Sequence, residues 1–300
     1  MKFNNNLQEN MRSSSNYSFY QYPFEPKSLD IAGYQLRYLD EGEGDPVILL
    51  HGNPTWSYYY RNLAQTLSPQ HRVIVPDHLG CGLSDKPQNY NYCLENHISN
   101  IELLIDHLEI SKFSLVVHDW GGAIGFGVAG RHIQKVLKIA VLNTAAFRST
   151  RIPLRIRICK VPFLGELIVR GFNGFAYPAT FMAVSEKMDQ RVAEAYLKPY
   201  SSWADRVAIY KFVRDIPLNE SHQSYETLRE VENNLELIRD ANIPLALYWG
   251  GKDFCFNDHF FEEWKLRFPN ATAHYYPEAG HYILEDVGNV VEAEILSFIS

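Results

Sequence analysis

The chain has 300 residues, 46% of them hydrophobic and 21% charged, which is the balance of one ordinary globular domain with room for an inserted subdomain. A formal charge of −7 and the lack of any long basic run argue against nucleic acid as a partner. Four dispersed cysteines form no CxxC pair, and no HExxH or grouped Cys/His set occurs, so free thiols, no metal and no cofactor are expected.

Residues 1–20 are rich in Asn and Ser, lack the apolar core of a signal peptide, and read as a mobile tail. Residues 28–40 alternate as a hairpin does, with Ala32-Gly33 at the turn. A continuous apolar run at 47–50 suits a strand covered on both faces, and the runs at 73–75, 113–117, 139–142 and 245–249 repeat it. Helical patterns at 55–68, 93–109 and 121–132 fill the first gaps. Such alternation predicts an α/β chain with a mostly parallel central sheet flanked by helices. After Phe147 the alternation stops. Residues 148–221 are helical and aromatic and are expected to form a cap between core segments 21–147 and 222–300. A helix near 222–240 leads back to the core, whose last strand is expected at 273–276. No stretch reaches the ~20 apolar residues of a membrane span, and a cytoplasmic protein is expected.

The strongest chemical signal is Val117-His118-Asp119-Trp120-Gly121-Gly122, an apolar strand running through one polar position into small residues that open a helix. That is the setting of a nucleophile elbow, with Asp in place of the usual Ser. A carboxylate is ionised at neutral pH and needs no base to attack an alkyl carbon, forming an ester. A second motif, His51-Gly52-Asn53-Pro54, directly follows the strand at 47–50. Asn53 offers an amide N–H and Trp120 an indole N–H, two donors for a leaving group or oxyanion. Glu278-Ala279-Gly280-His281 follows the last strand and supplies a general base, His281. Asp253, in Trp249-Gly250-Gly251-Lys252-Asp253, is the acid that would orient it, because the loop Asn143-Thr144-Ala145-Ala146 holds no carboxylate. The order Asp119, Asp253, His281 is nucleophile, acid, base. Gly80-Cys81-Gly82-Leu83-Ser84-Asp85 reads as a tight loop at the pocket edge, and the glycines at 121, 122, 125 and 127 as close helix–strand packing rather than a dinucleotide fingerprint.

On these residues, with Thr55-Trp56-Ser57, Pro76-Asp77-His78 and Gly82-Leu83-Ser84-Asp85-Lys86-Pro87, the chain resembles the haloalkane dehalogenase family over roughly residues 28–298. The resemblance implies the α/β-hydrolase fold with Asp119 as nucleophile, Asn53 and Trp120 at the leaving group, His281 as base and Asp253 as acid. Asn143-Thr144-Ala145-Ala146-Phe147, Asp253-Phe254-Cys255-Phe256 and Gly280-His281-Tyr282 are similar to a subgroup that includes β-lactone decarboxylases of bacterial olefin synthesis. It implies a small hydrophobic substrate, a long-chain cis-β-lactone decarboxylated to an alkene. The alternative is a haloalkane hydrolysed to alcohol and halide. Epoxide hydrolases share the elbow but use two cap tyrosines, for which Tyr177, Tyr196, Tyr200 and Tyr210 are the candidates. A hydrolase-like binding protein without turnover is the rival from another class. The sequence leaves open whether the chain forms a homo-oligomer or a complex with pathway enzymes.

Overall fold

In this computed structural model, which describes residues 18–300, eight strands build one sheet. The expected mobile tail lies, as far as residue 17, outside the described residues. The strands are β1 (Lys27–Ile31), β2 (Tyr34–Glu41), β3 (Pro46–Leu50), β4 (Arg72–Pro76), β5 (Phe113–His118), β6 (Val136–Leu142), β7 (Leu245–Gly250) and β8 (Thr272–Tyr276). Their order across the sheet is β1-β2-β4-β3-β5-β6-β7-β8. Only β2 runs antiparallel to its neighbours; from β4 to β8 every pairing is parallel. The apolar runs of β3, β5 and β7 are buried almost throughout, as a sheet covered on both faces requires. The expected α/β class and parallel sheet are borne out.

Ile31 pairs with Tyr34, which leaves Ala32 and Gly33 as a two-residue turn. Both have positive φ (53° and 88°), the conformation that matches the twist of the two strands. Helices cover the sheet: α1 (Arg61–Leu67), α2 (Leu94–His107), α3 (Trp120–Arg131), α4 (Leu154–Cys159), α5 (Ala176–Met182), α6 (Gln190–Leu197), α7 (Val207–Asp215), α8 (Tyr225–Asp240), α9 (Asp258–Arg267) and α10 (Gly288–Ile299). Helix α3 packs against the sheet through its glycines. A Cβ on Gly121 would run into the Leu50 carbonyl, and one on Gly125 into Val117. Among the described residues no helix is long and apolar enough to cross a membrane.

Three local differences from the sequence reading have physical causes. The helix expected at 55–68 opens with a 3-10 turn, Ser57–Tyr60, because the Asp77 carboxylate takes the Ser57 N–H at 2.6 Å. Strand β6 starts three residues earlier than its apolar run, since Lys138 interrupts the pattern and sends its ammonium to the Phe298 and Ile299 carbonyls. The loop at 80–85 does not line the pocket. It wraps Asp77 instead: Leu83 N–H donates to the carboxylate at 2.7 Å and the Ser84 hydroxyl to the Asp77 carbonyl at 2.6 Å. Burial pushes the Asp77 carboxyl up to about 6.

Between β6 and β7 the described chain holds helices and no strand. One buried ion pair ties these helices to the core. The Arg61 guanidinium meets both Glu285 oxygens at 2.5 and 2.9 Å, and the Tyr196 hydroxyl of α6 donates to the same carboxylate at 2.5 Å. The two charged side chains are 3% and 10% exposed, so neither can be left alone without a large desolvation penalty. Arg61→Met is expected to destabilise the fold by about 3–5 kcal/mol, read by chemical denaturation. A loss within about 0.5 kcal/mol, the range of an ordinary surface change, would contradict this account of the pair.

Candidate active site

Every motif loop leaves the carboxyl end of a parallel strand, so all converge on one edge of the sheet. Asp119 stands at the turn from β5 into α3 with φ 52° and ψ −126°. That region is strained for a residue with a side chain and costs about 1–3 kcal/mol. The surroundings are cleared for it. A Cβ on Gly52 would collide with the Asp119 carboxylate, and one on Gly122 with Thr144. The Thr144 hydroxyl donates to the Asp119 carbonyl and fixes the turn.

The two Asp119 carboxylate oxygens have different fates. Oδ1 accepts the Asn53 backbone N–H at 2.7 Å. Oδ2 faces His281 Nε2 at 3.6 Å, beyond hydrogen-bond reach. Burial pushes this carboxyl above its ordinary range, opposed by the His281 ring and by the Asn53 and Trp120 backbone N–H groups. Such an arrangement can attack through Oδ2 while Oδ1 already sits on amide donors, ready to become an oxyanion.

His281 Nδ1 donates to Asp253 Oδ2 at 2.7 Å, which points Nε2 at Asp119. Its ring packs against His118 and Phe256, with centroids at 4.5 and 5.7 Å. Asp253 also accepts the Cys255 and Phe256 backbone N–H groups at 2.6 and 3.0 Å. A fourth donor is Asn143 Nδ2 at 3.0 Å, from the end of β6. Asn143 is further locked to Gly250, accepting its N–H at 2.8 Å and donating to its carbonyl at 3.1 Å. Sequence reasoning passed over Asn143 after noting that its loop holds no carboxylate. The signal available was its place, at the end of the strand neighbouring both β5 and β7.

A cavity of about 460 Å³ lies over Asp119. Asn53, Asp119, Trp120 and His281 line it, and Asp253 stands behind His281. Its walls are mainly apolar and come from both sides: Phe147, Ile156, Phe175, Met182, Val213 and Phe260 among them. The Trp120 indole N–H has no hydrogen-bond partner among the described residues. Asn53 Nδ2 donates to the Ile209 carbonyl of α7 at 3.1 Å, and its Oδ1 is buried without a partner. One N–H of that amide therefore stays available to a ligand. Tyr177, Tyr196, Tyr200 and Tyr210 do not line the cavity. Tyr196 is bound to Glu285, Tyr200 bonds the Gly82 N–H and Thr55 carbonyl, and Tyr177 is exposed.

Residues 45–286 match the model of the α/β-hydrolase fold family. The chain belongs to that family. It is 41% identical over 285 residues to a cis-3-alkyl-4-alkyloxetan-2-one decarboxylase of Shewanella oneidensis, covering 93% of this chain and 89% of that one. A protein of the same name from Xanthomonas campestris is 38% identical, over 93% and 97% of the two chains. Haloalkane dehalogenase 2 of Mycobacterium tuberculosis is 29% identical, over 92% and 95%. Among solved structures, haloalkane dehalogenase from Bradyrhizobium elkani superposes with a TM-score of 0.84 at 24% identity, covering 92% of this chain and 97% of that one, which speaks for the fold. The family resemblance read from the motifs is borne out, and the chain is an enzyme of the dehalogenase-like group of α/β-hydrolases.

For this enzyme the electrostatics of His281 follow from its neighbours. Burial disfavours a charged His281 ring, but Asp253 and Asp119 outweigh it, and the pKa is raised from 6.5. His118, buried with only another histidine's carbonyl to bond, is pushed well below 6.5 and stays neutral. Asp253→Asn is therefore expected to shift the His281 titration to lower pH, measured by NMR on ¹⁵N-histidine-labelled protein. An unmoved titration would show that the Asp253 charge does not set this pKa.

Proposed function

We propose that this enzyme takes a long-chain cis-β-lactone and releases an alkene and carbon dioxide, with Asp119 as nucleophile. The observation that carries this reading is a carboxylate presented at the floor of a mainly apolar pocket. It is supported by relatives named for an alkyl-substituted oxetan-2-one, that is, a β-lactone. Residues 148–221 are assigned as the cap that supplies the apolar wall. Four unpaired thiols suit a reducing cytoplasm.

The chemistry needs only this chain's residues. Oδ2 of Asp119 attacks the ring carbon that bears oxygen, and the carbon–oxygen bond breaks with its electron pair going to the ring carboxylate. Asn53 and Trp120 offer N–H groups to the charge that develops there. The bond to the carboxylate then breaks, and its electron pair becomes the double bond as Asp119 is expelled. Carbon dioxide leaves, and no oxidant or water is consumed. Inversion in the first step and anti elimination in the second convert a cis lactone into a cis alkene. The raised pKa of His281 suits this route, because an imidazolium stabilises Asp119 as it departs.

Haloalkane hydrolysis is the second reading, favoured by the 3.6 Å gap between His281 and Asp119 and by the free Trp120 N–H. There the ester must be attacked by water, with neutral His281 as base. The roles separate in the His281→Gln variant. With a bromoalkane it should accumulate an ester seen as added mass in the intact protein; no adduct would discard this route.

The deciding assay is product analysis after incubation with a long-chain cis-β-lactone. Cis-alkene is expected from the wild type and none from Asp119→Ala; β-hydroxy acid as the product would refute the decarboxylase reading. Asn53→Ala is expected to slow turnover by about 10² to 10³, as loss of an oxyanion-type donor does. A rate close to wild type would leave Asn53 a structural turn.

A further inference from the structure

Exposed apolar surface is spread unevenly over this chain. Among the described residues sixteen large hydrophobic side chains are exposed, and ten of them fall between Leu154 and Trp203. The remaining six (Leu103, Leu237, Phe254, Leu266, Tyr275 and Val290) are scattered singly over separate elements. Isolated exposed apolar residues are normal, but a concentration of this kind marks an interaction surface.

The ten lie on cap elements that pack together. Leu154 and Ile158 are on α4, Phe163 and Leu164 follow it, and Phe181 is on α5. Arg155 of α4 reaches Met182 Sδ of α5 at 3.3 Å, and the Tyr177 and Phe181 rings meet edge to face at 5.7 Å. Phe163 is 87% exposed and Phe172 76%. Phe163 also holds φ at 60°, a left-handed conformation that is an outlier for a bulky residue, with no burial within the chain in return.

Charge tells which occupant fits. Residues 148–165 carry Arg148, Arg151, Arg155, Arg157 and Lys160 and no acidic residue, in a chain of formal charge −7. Arg148 pairs with Glu232, and Lys160 is spent on three backbone carbonyls. Arg151, Arg155 and Arg157 have no ion-pair partner among the described residues. Cations interleaved with exposed aromatic and aliphatic side chains are the composition of an interfacial lipid-binding segment. The same elements also border the pocket, through Arg151, Arg155, Ile156, Ile158, Phe175 and Met182.

We propose that this cap face docks on an anionic lipid surface, Phe163 and Phe172 entering the acyl layer and Arg151 and Arg157 meeting the headgroups. The docking stands on the surface alone. Its purpose, feeding alkyl chains to the pocket from the bilayer, rests on the lactone reading. The test is flotation of the full chain with vesicles of phosphatidylcholine, alone or mixed equally with phosphatidylglycerol. Flotation is expected with the mixed vesicles and should fall as salt is raised. Each cation near such a surface changes binding about fivefold, so Arg157→Glu should weaken it by on the order of tenfold or more. A double variant, Phe163→Gly with Phe172→Ser, should abolish flotation and leave turnover of a short-chain soluble lactone unchanged. Glycine accepts φ 60° without strain, so the fold is kept. Absence of flotation with the mixed vesicles, or flotation unaltered in the variants, overturns the proposal. So does self-association in size-exclusion chromatography that the double variant disperses in a chain that does not float, because the face then belongs to a second copy. Flotation without turnover of any lactone would uphold docking and reject the lactone reading.

Discussion

At Asp119 the backbone turns from strand to helix through φ 52° and ψ −126°, and much of the neighbouring sequence exists to permit it. Gly52, Gly121 and Gly122 each stand where a Cβ would strike another part of the turn or of its supports. The result is a carboxylate with one oxygen on the Asn53 amide and the other turned to the cavity. A relaxed turn would swing that oxygen towards the helix, where it would merely cap backbone N–H groups. Strain held by packing thus keeps one carboxylate oxygen turned to the cavity.

The Asp253 side of the site is built by a different device. Asp253 is held by four N–H donors, one of them from Asn143 on the adjacent strand end. Asn143 in turn grips both the carbonyl and the N–H of Gly250. Strand β7 and strand β6 therefore share responsibility for the orientation of one imidazole. An amide suits this post because it donates to Asp253 and accepts from Gly250 at once, which a carboxylate could not do while ionised.

The sheet and the four motif loops were legible because they are local. A continuous apolar run followed by a polar or glycine-rich corner is visible within ten residues, and five such corners on one sheet edge must meet. What could not be read depends on distant partners. Asn143 and Asp253 are 110 positions apart, and Asn53 and Ile209 are 156 apart. The loop at 80–85 carries the glycines of a pocket rim, yet its amides serve Asp77. Lys138 disguised the start of β6 by being charged in a strand whose neighbours are apolar. Helices α9 and α10, at the far end, have no strong one-sided pattern and went unread.

The bond from Asn53 to α7 ends on the Ile209 carbonyl, a group that every amino acid carries. The link between α7 and the Asn53 loop is therefore indifferent to which side chain occupies position 209, and sensitive to where the helix backbone stands. Sequence drift in the helices between β6 and β7 can reshape the pocket freely while this bond survives. Insertion or deletion of a single residue within α7 would rotate the carbonyl by about 100° and break it. Laboratory grafting of the segment between β6 and β7 from one relative to another accordingly has to preserve helix phase rather than residue identity.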